Sequence, residues 1–247
     1  MAYLTVGDPS VEESVRLAVA AVESGADILE LGVPFSDPTA DGPVIAAAAH
    51  RAIQRGGSLR AALEVARQVR AVSEAPLVLF SYYNPLLAFG AGELPGAAAA
   101  AGVDGLLVVD LPPEEGEDLR RAAREADVVT IPLVAPTTGP EREREIVGRA
   151  RGFIYYVSLT GVTGSGAAPL VEAGQAAVAL RERSGLPVVV GFGITSPEKA
   201  RQVASQGVDG VVVGTAIVNA IATATDAESR ERAVRELVGA LRAALNP

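Results

Sequence analysis

Residues 26–44 read ADILELGVPFSDPTADGPV, and within them Glu30 interrupts an otherwise apolar run of Ile28, Leu29, Leu31 and Val33. A central strand of a parallel sheet is covered on both faces and normally reads as continuously apolar. A carboxylate there is costly unless it has a partner or a task. The loop that follows holds two more acids, Asp37 and Asp41, each beside a turn-forming proline or glycine, so three carboxylates can converge on one rim. Convergent acids at the end of a strand suit acid/base chemistry.

Working outward, short β-rich runs alternate with amphipathic helical stretches. The expected strands are 3–6, 27–33, 76–81, 105–110, 128–134, 153–159, 187–191 and 208–213. Helices are expected between them. Ser10 and Glu13 are spaced as a capping box, a Gly56-Gly57 break precedes a helix from Ser58 to Val72, Pro113 can open a helix to Ala126, and Ser196-Pro197 caps another. Residues 84–101, rich in glycine and alanine, hold a loop and at most a short helix. Residues 160–168, with three glycines, read as a loop that can act as a lid.

Eight strands in alternation with helices over 247 residues predict an α/β fold, a single-domain (β/α)8 barrel. The doubly wound open sheet fits less well, because it places its glycine-rich turn after the first strand and the glycine signals here fall late.

The net charge of −9 argues against a general nucleic-acid binder. The chain has no cysteine, no apolar run of membrane-spanning length and no signal-peptide pattern at its start, which together suggest a cytoplasmic protein.

In such barrels the active site lies at the C-terminal ends of the strands. Glu30, Asp37, Asp41, Asp110 and Thr163 fall there, as do the Gly191-Phe192-Gly193-Ile194 and Gly214-Thr215-Ala216 turns. Two glycine turns in adjacent late loops favour a phosphate site, since glycine lets backbone N–H groups approach an anion. Asp110, before Leu111-Pro112, reads as loop structure, and His50 as a surface or packing residue. No metal-ligand pattern is present, and no lysine sits at a strand end to form a Schiff base. The chemistry expected is carboxylate acid/base work on a phosphorylated small molecule, without metal, cofactor or covalent intermediate.

Seven motifs in order, LELGVPFSDPTADGPVI, SYYNPLL, GLLVVDLPPEE, LVAPTT, YYVSLTGVTG, GFGI and GVVVGTAIV, resemble the tryptophan synthase alpha subunit from Leu4 to about Ile221. The resemblance implies retro-aldol cleavage of indole-3-glycerol phosphate to indole and glyceraldehyde 3-phosphate. It implies catalysis by Glu30 and Asp41, and a phosphate held by Gly164, Gly193, Gly214 and Thr215. Tyr3, Ile45, Phe80 and Leu107 would hold the indole ring, Tyr155 and Phe192 would line the pocket, and Thr163 would be the lid threonine. Asp37 and Pro38 would face a beta subunit within a heterotetramer.

Three departures from the family pattern stand out. The usual leading helix has no counterpart before Tyr3, the lid reads Gly164-Ser165-Gly166 in place of Gly-Ala-Arg, and Thr215 replaces a serine. The altered lid also suggests a standalone indole-releasing lyase. A subunit that mainly activates its partner is a third reading, against which the intact Glu30 and Asp41 pair argues.

Overall fold

A computed structural model describes residues 1–157, 168–191 and 193–245. The chain runs β1 (Ala2–Thr5), α1 (Val11–Glu23), β2 (Leu29–Gly32), α2 (Pro43–Gln54), α3 (Leu59–Arg70), β3 (Leu77–Ser81), α4 (Tyr83–Phe89), α5 (Leu94–Ala100), β4 (Gly105–Val108) and α6 (Glu117–Glu125). It continues β5 (Val129–Thr130), β6 (Leu133–Val134), α7 (Pro140–Arg149), β7 (Ile154–Val157), α8 (Ala168–Ser184), β8 (Val188–Gly191), α9 (Pro197–Ala204), β9 (Gly210–Val211), α10 (Thr215–Thr223) and α11 (Ala227–Leu245).

Strands β1 to β5 pair in order and all parallel, and β6 to β9 do the same. Two seams close the barrel. At one, Ala2 bridges Val213, with Tyr3 N–H donating to Val213 O at 3.0 Å. At the other, β5 and β6 are the two halves of the single strand expected at 128–134. Pro132 has no N–H to give the ladder, so the regular pairing lapses there. Hydrogen bonds from Ile131 N–H to Leu106 O (2.8 Å) and from Tyr155 N–H to Pro132 O (3.0 Å) carry the wall across the gap. The expected eight-stranded barrel is thus present, with its fifth strand divided.

The period-2 alternation of each strand sorts its side chains. Leu29, Leu31, Leu77, Leu79, Leu106, Ile154, Val188 and Val190 turn outward and are buried beneath the helices. Tyr3, Val78, Phe80, Leu107, Ile131, Tyr155, Val189 and Val212 form a separate inner cluster. Two strand glycines make room within it. A Cβ at Gly32 would lie 2.2 Å from the Tyr3 hydroxyl, and one at Gly191 2.2 Å from the Tyr155 hydroxyl. Gly191, expected from sequence to close its strand and open a turn, ends β8 against the Tyr155 ring.

Side-chain caps fix three helix starts: Ser10, Ser58 and Ser196 accept from the N–H groups of Glu13, Ala61 and Lys199. Helix α6 starts later than expected, at Glu117 after Gly116. Leu111 and Pro112 each precede a proline, which disfavours helical backbone, and a turn with Glu115 N–H on Pro112 O comes first. Residues 84–101 hold more helix than expected, as α4 and α5 separated at Gly90, whose φ is +113°. Among the described residues no helix is long and apolar enough to cross a membrane.

Candidate active site

Strand β2 lays the floor of the site. Its outward leucines anchor it under the helices, and its register, Glu30 between Tyr3 of β1 and Val78 of β3, sends Glu30 into the barrel. Glu30 is 0% exposed, and neither carboxylate oxygen has a hydrogen-bond partner among the described residues. Burial therefore pushes its pKa up to about 8, because the anion would lose its hydration, a loss that the N-terminal ammonium of Met1 offsets only in part. At neutral pH Glu30 is a neutral acid, a proton donor.

Above it lies the rim loop between β2 and α2. Turns Thr39 N–H to Asp37 O (2.9 Å) and Asp41 N–H to Pro38 O (3.1 Å) fold the loop back on itself. Ala40 N–H donates to the Tyr82 hydroxyl at 2.9 Å, the Phe35 and Tyr82 rings lie 5.3 Å apart, and His50 Nε2 is 3.1 Å from Ser36 O. The loop thereby presents Asp41 to the barrel mouth. Burial raises the Asp41 pKa to about 6, opposed by the Tyr82 hydroxyl beside it. Asp41 is thus mostly ionised at pH 7 while Glu30 is not.

The walls are aromatic and aliphatic. Tyr3 and Phe80 meet edge to face at 5.4 Å, an arrangement that suits their ring quadrupoles. Behind them Gly193, with φ +78°, and Gly214, which starts α10, bring backbone to the cavity. The first N–H groups of α10 have no intrahelical acceptors, and the helix dipole favours an anion there.

One cavity is lined by Tyr3, Glu30, Asp41, Ile45, Phe80, Tyr155, Gly193, Gly214 and Thr215, nine of the residues expected from sequence. Leu107 is buried in the inner barrel layer and does not reach the cavity lining. Thr163, Gly164 and Phe192 lie outside the described residues. Asp37 is exposed, with Ser36 Oγ donating to it, and Pro38 beside it is half-buried; neither lines the cavity. Asp110 accepts from Tyr83 N–H at 2.7 Å, a loop role as expected.

Sequence reasoning missed Tyr82, Ile194 and Val212. Ile194 and Val212 line the cavity. Tyr82 stood in the SYYNPLL motif, but nothing local reveals that its hydroxyl serves a backbone N–H 42 residues earlier.

A parallel eight-stranded barrel with a buried acid, a second acid and a helix N-terminus at one cavity has the make-up of a barrel enzyme. The comparisons make the family specific. The tryptophan synthase alpha chain family matches residues 1–246, and the chain belongs to it. The tryptophan synthase alpha chain of Geobacter sulfurreducens is 46% identical over 243 residues, covering 98% of this chain and 91% of the relative. That of Alkalilimnicola ehrlichii is 47% identical over 246 residues, covering 99% and 89%. Tryptophan synthase subunit alpha from Legionella pneumophila superposes with a TM-score of 0.91 at 40% identity, covering 99% of this chain and 91% of that one. A chain of the tryptophan synthase a2b2 complex from Pyrococcus furiosus gives 0.86 at 36% identity, covering 97% and 95%.

Proposed function

We propose that this chain cleaves indole-3-glycerol phosphate to indole and glyceraldehyde 3-phosphate, as the alpha subunit of a tryptophan synthase in tryptophan biosynthesis. The observation that carries this reading is Glu30, an acid kept neutral by burial and facing the same cavity as an ionised Asp41.

The chemistry follows from those two protonation states. Glu30 gives its proton to indole C3. The positive charge that results spreads to the ring nitrogen, where Asp41 accepts the indole N–H. The Glu30 carboxylate then removes the proton from the glycerol hydroxyl next to the scissile bond. As that C–O becomes a carbonyl, the C–C electron pair returns to the ring and indole leaves. Glu30 ends protonated, so no net proton is consumed.

Gly193, Gly214 and Thr215 are proposed to hold the phosphate by backbone N–H groups, with the α10 dipole adding to the attraction. Gly164 joins them on the family resemblance. Tyr3, Ile45 and Phe80 are assigned to the indole ring, with Leu107 packed behind them, Tyr155 and Phe192 to the pocket wall, and Thr163 to the lid. No cofactor is called for by this route.

The partner is a tryptophan synthase beta subunit in an alpha2beta2 heterotetramer, the assembly that the Pyrococcus furiosus relative forms. Asp37 and Pro38, in the rim loop, are proposed to face it. The biosynthetic role supports a cytoplasmic setting.

Indole released from indole-3-glycerol phosphate by the purified chain, with and without added beta subunit, tests the reading. Release that the beta subunit strongly accelerates supports it. No release in either case sinks it.

A further inference from the structure

Outside the barrel, between α6 and α7, lies a groove of about 390 Å³, within the size range of small-molecule sites and far larger than the catalytic cavity. It lies over the divided fifth strand, whose Thr130, Ile131, Pro132 and Leu133 line it. Leu106, Val108, Leu119 and Ile146 give the groove apolar sides.

Its charged groups are Arg120, Arg142, Arg149 and Asp110, a positive balance on a chain whose net charge is −9. Arg142 pairs with Glu114, and Asp110 is engaged by Tyr83 N–H. Arg149 meets only a carbonyl, Pro113 O at 3.0 Å, and has no carboxylate within ion-pair reach among the described residues. Arg120 is 11% exposed. Its Nη2 donates to Glu117, but its Nε is shut off from water and has no acceptor among the described residues. A smaller hollow shares Arg120 and Arg149 and adds Arg124, Arg151 and Asp127; Glu117 pairs with both Arg120 and Arg124, so among the described residues Arg149 and Arg151 are the arginines there without a carboxylate partner. A carboxylate arriving along the groove meets the part of the Arg120 guanidinium that stays accessible and the Arg149 guanidinium, while its apolar body is kept out of water.

We propose that the groove between α6 and α7 is a second binding site, taking a small apolar carboxylic acid whose carboxylate meets Arg120 and Arg149 and whose body lies on Leu106, Val108, Leu119 and Ile146. The site is separate from the catalytic cavity and shares no lining residue with it.

The test is titration of the full-length, isotope-labelled chain with naphthoate, read by calorimetry and by the NMR signal of the Arg120 Nε–H. Naphthalenemethanol and inorganic phosphate serve as the two comparison probes. Saturable naphthoate binding with a downfield shift of that signal is expected, with naphthalenemethanol and phosphate each about tenfold weaker or worse. Saturating glyceraldehyde 3-phosphate should leave the binding intact. Arg120→Gln should weaken naphthoate about tenfold or more while indole release changes by less than about twofold. Ala150→Phe, which fills the groove and leaves its charges in place, should block binding even if Arg120→Gln fails to fold. Absence of saturable naphthoate binding, equal affinity for the alcohol, tighter binding of phosphate alone, displacement by glyceraldehyde 3-phosphate, or unchanged affinity in the Ala150→Phe protein would each overturn the proposal.

Discussion

The strand floor and the rim loop each contribute one acid to the same cavity, and they hold them in opposite ways. Glu30 stands on a strand locked between two neighbours, with no hydrogen-bond partner for its carboxyl group among the described residues. Asp41 stands on a loop that owes its shape to bonds made elsewhere, to Tyr82 and His50. The difference sets their protonation: isolation drives the Glu30 pKa to about 8, while partial exposure and the Tyr82 hydroxyl leave Asp41 near about 6. Rigid isolation makes an acid, and supported exposure keeps an anion.

Breaking the floor should cost most. Glu30→Gln keeps the shape and removes the transferable proton, so kcat for indole release should fall by about 10²- to 10⁴-fold with KM little changed, measured by continuous indole assay.

The same substitution sharpens the contrast in stability. The folded-state pKa of Glu30 is raised above its unfolded value, so the stability it contributes is full below about pH 4.5 and is lost as pH rises toward about 8. The fully buried group should remove on the order of 5 kcal/mol across that window. In Glu30→Gln this part of the slope should vanish, so denaturant unfolding at several pH values should find the variant gaining on the wild type as pH rises.

On the rim, Asp41→Asn keeps an acceptor but loses the charge. A reduction of roughly 10- to 100-fold in kcat/KM is expected, since a charge-assisted hydrogen bond becomes a neutral one. Tyr82→Phe should do least, about tenfold or less, by loosening the loop through the lost contact to Ala40 N–H. Because the Tyr82 hydroxyl lowers the Asp41 pKa, its loss should also move the acid limb of the pH–rate profile upward.

Much of the floor was legible in the sequence and much of the rim was not. Glu30 is visible because a single acid breaks an apolar strand, and the barrel because strand and helix periods alternate along the whole chain. The division of the fifth strand was hidden: Val128 to Val134 reads as one run, and only the ladder shows what the missing N–H of Pro132 does. Gly191 was legible as a strand end, but the closeness of the Tyr155 ring that leaves no room for a Cβ there was not. Residues 84–101 lack a helical period because alanine and glycine carry too little contrast, yet buried Leu86, Leu94 and Ala98 suffice to seat two short helices. His50, expected at the surface, is indeed exposed, but its contact to Ser36 O could not be read without the fold of the loop.

The account rests on Glu30 being neutral where the reaction runs, and the direct measurement is the carboxyl titration of Glu30 in the folded chain, by infrared or carbon NMR difference against Glu30→Gln. A midpoint near about 8 is predicted. A midpoint in the ordinary glutamate range, around 4.3, would mean that the carboxyl is ionised at neutral pH and would contradict its role as the proton donor.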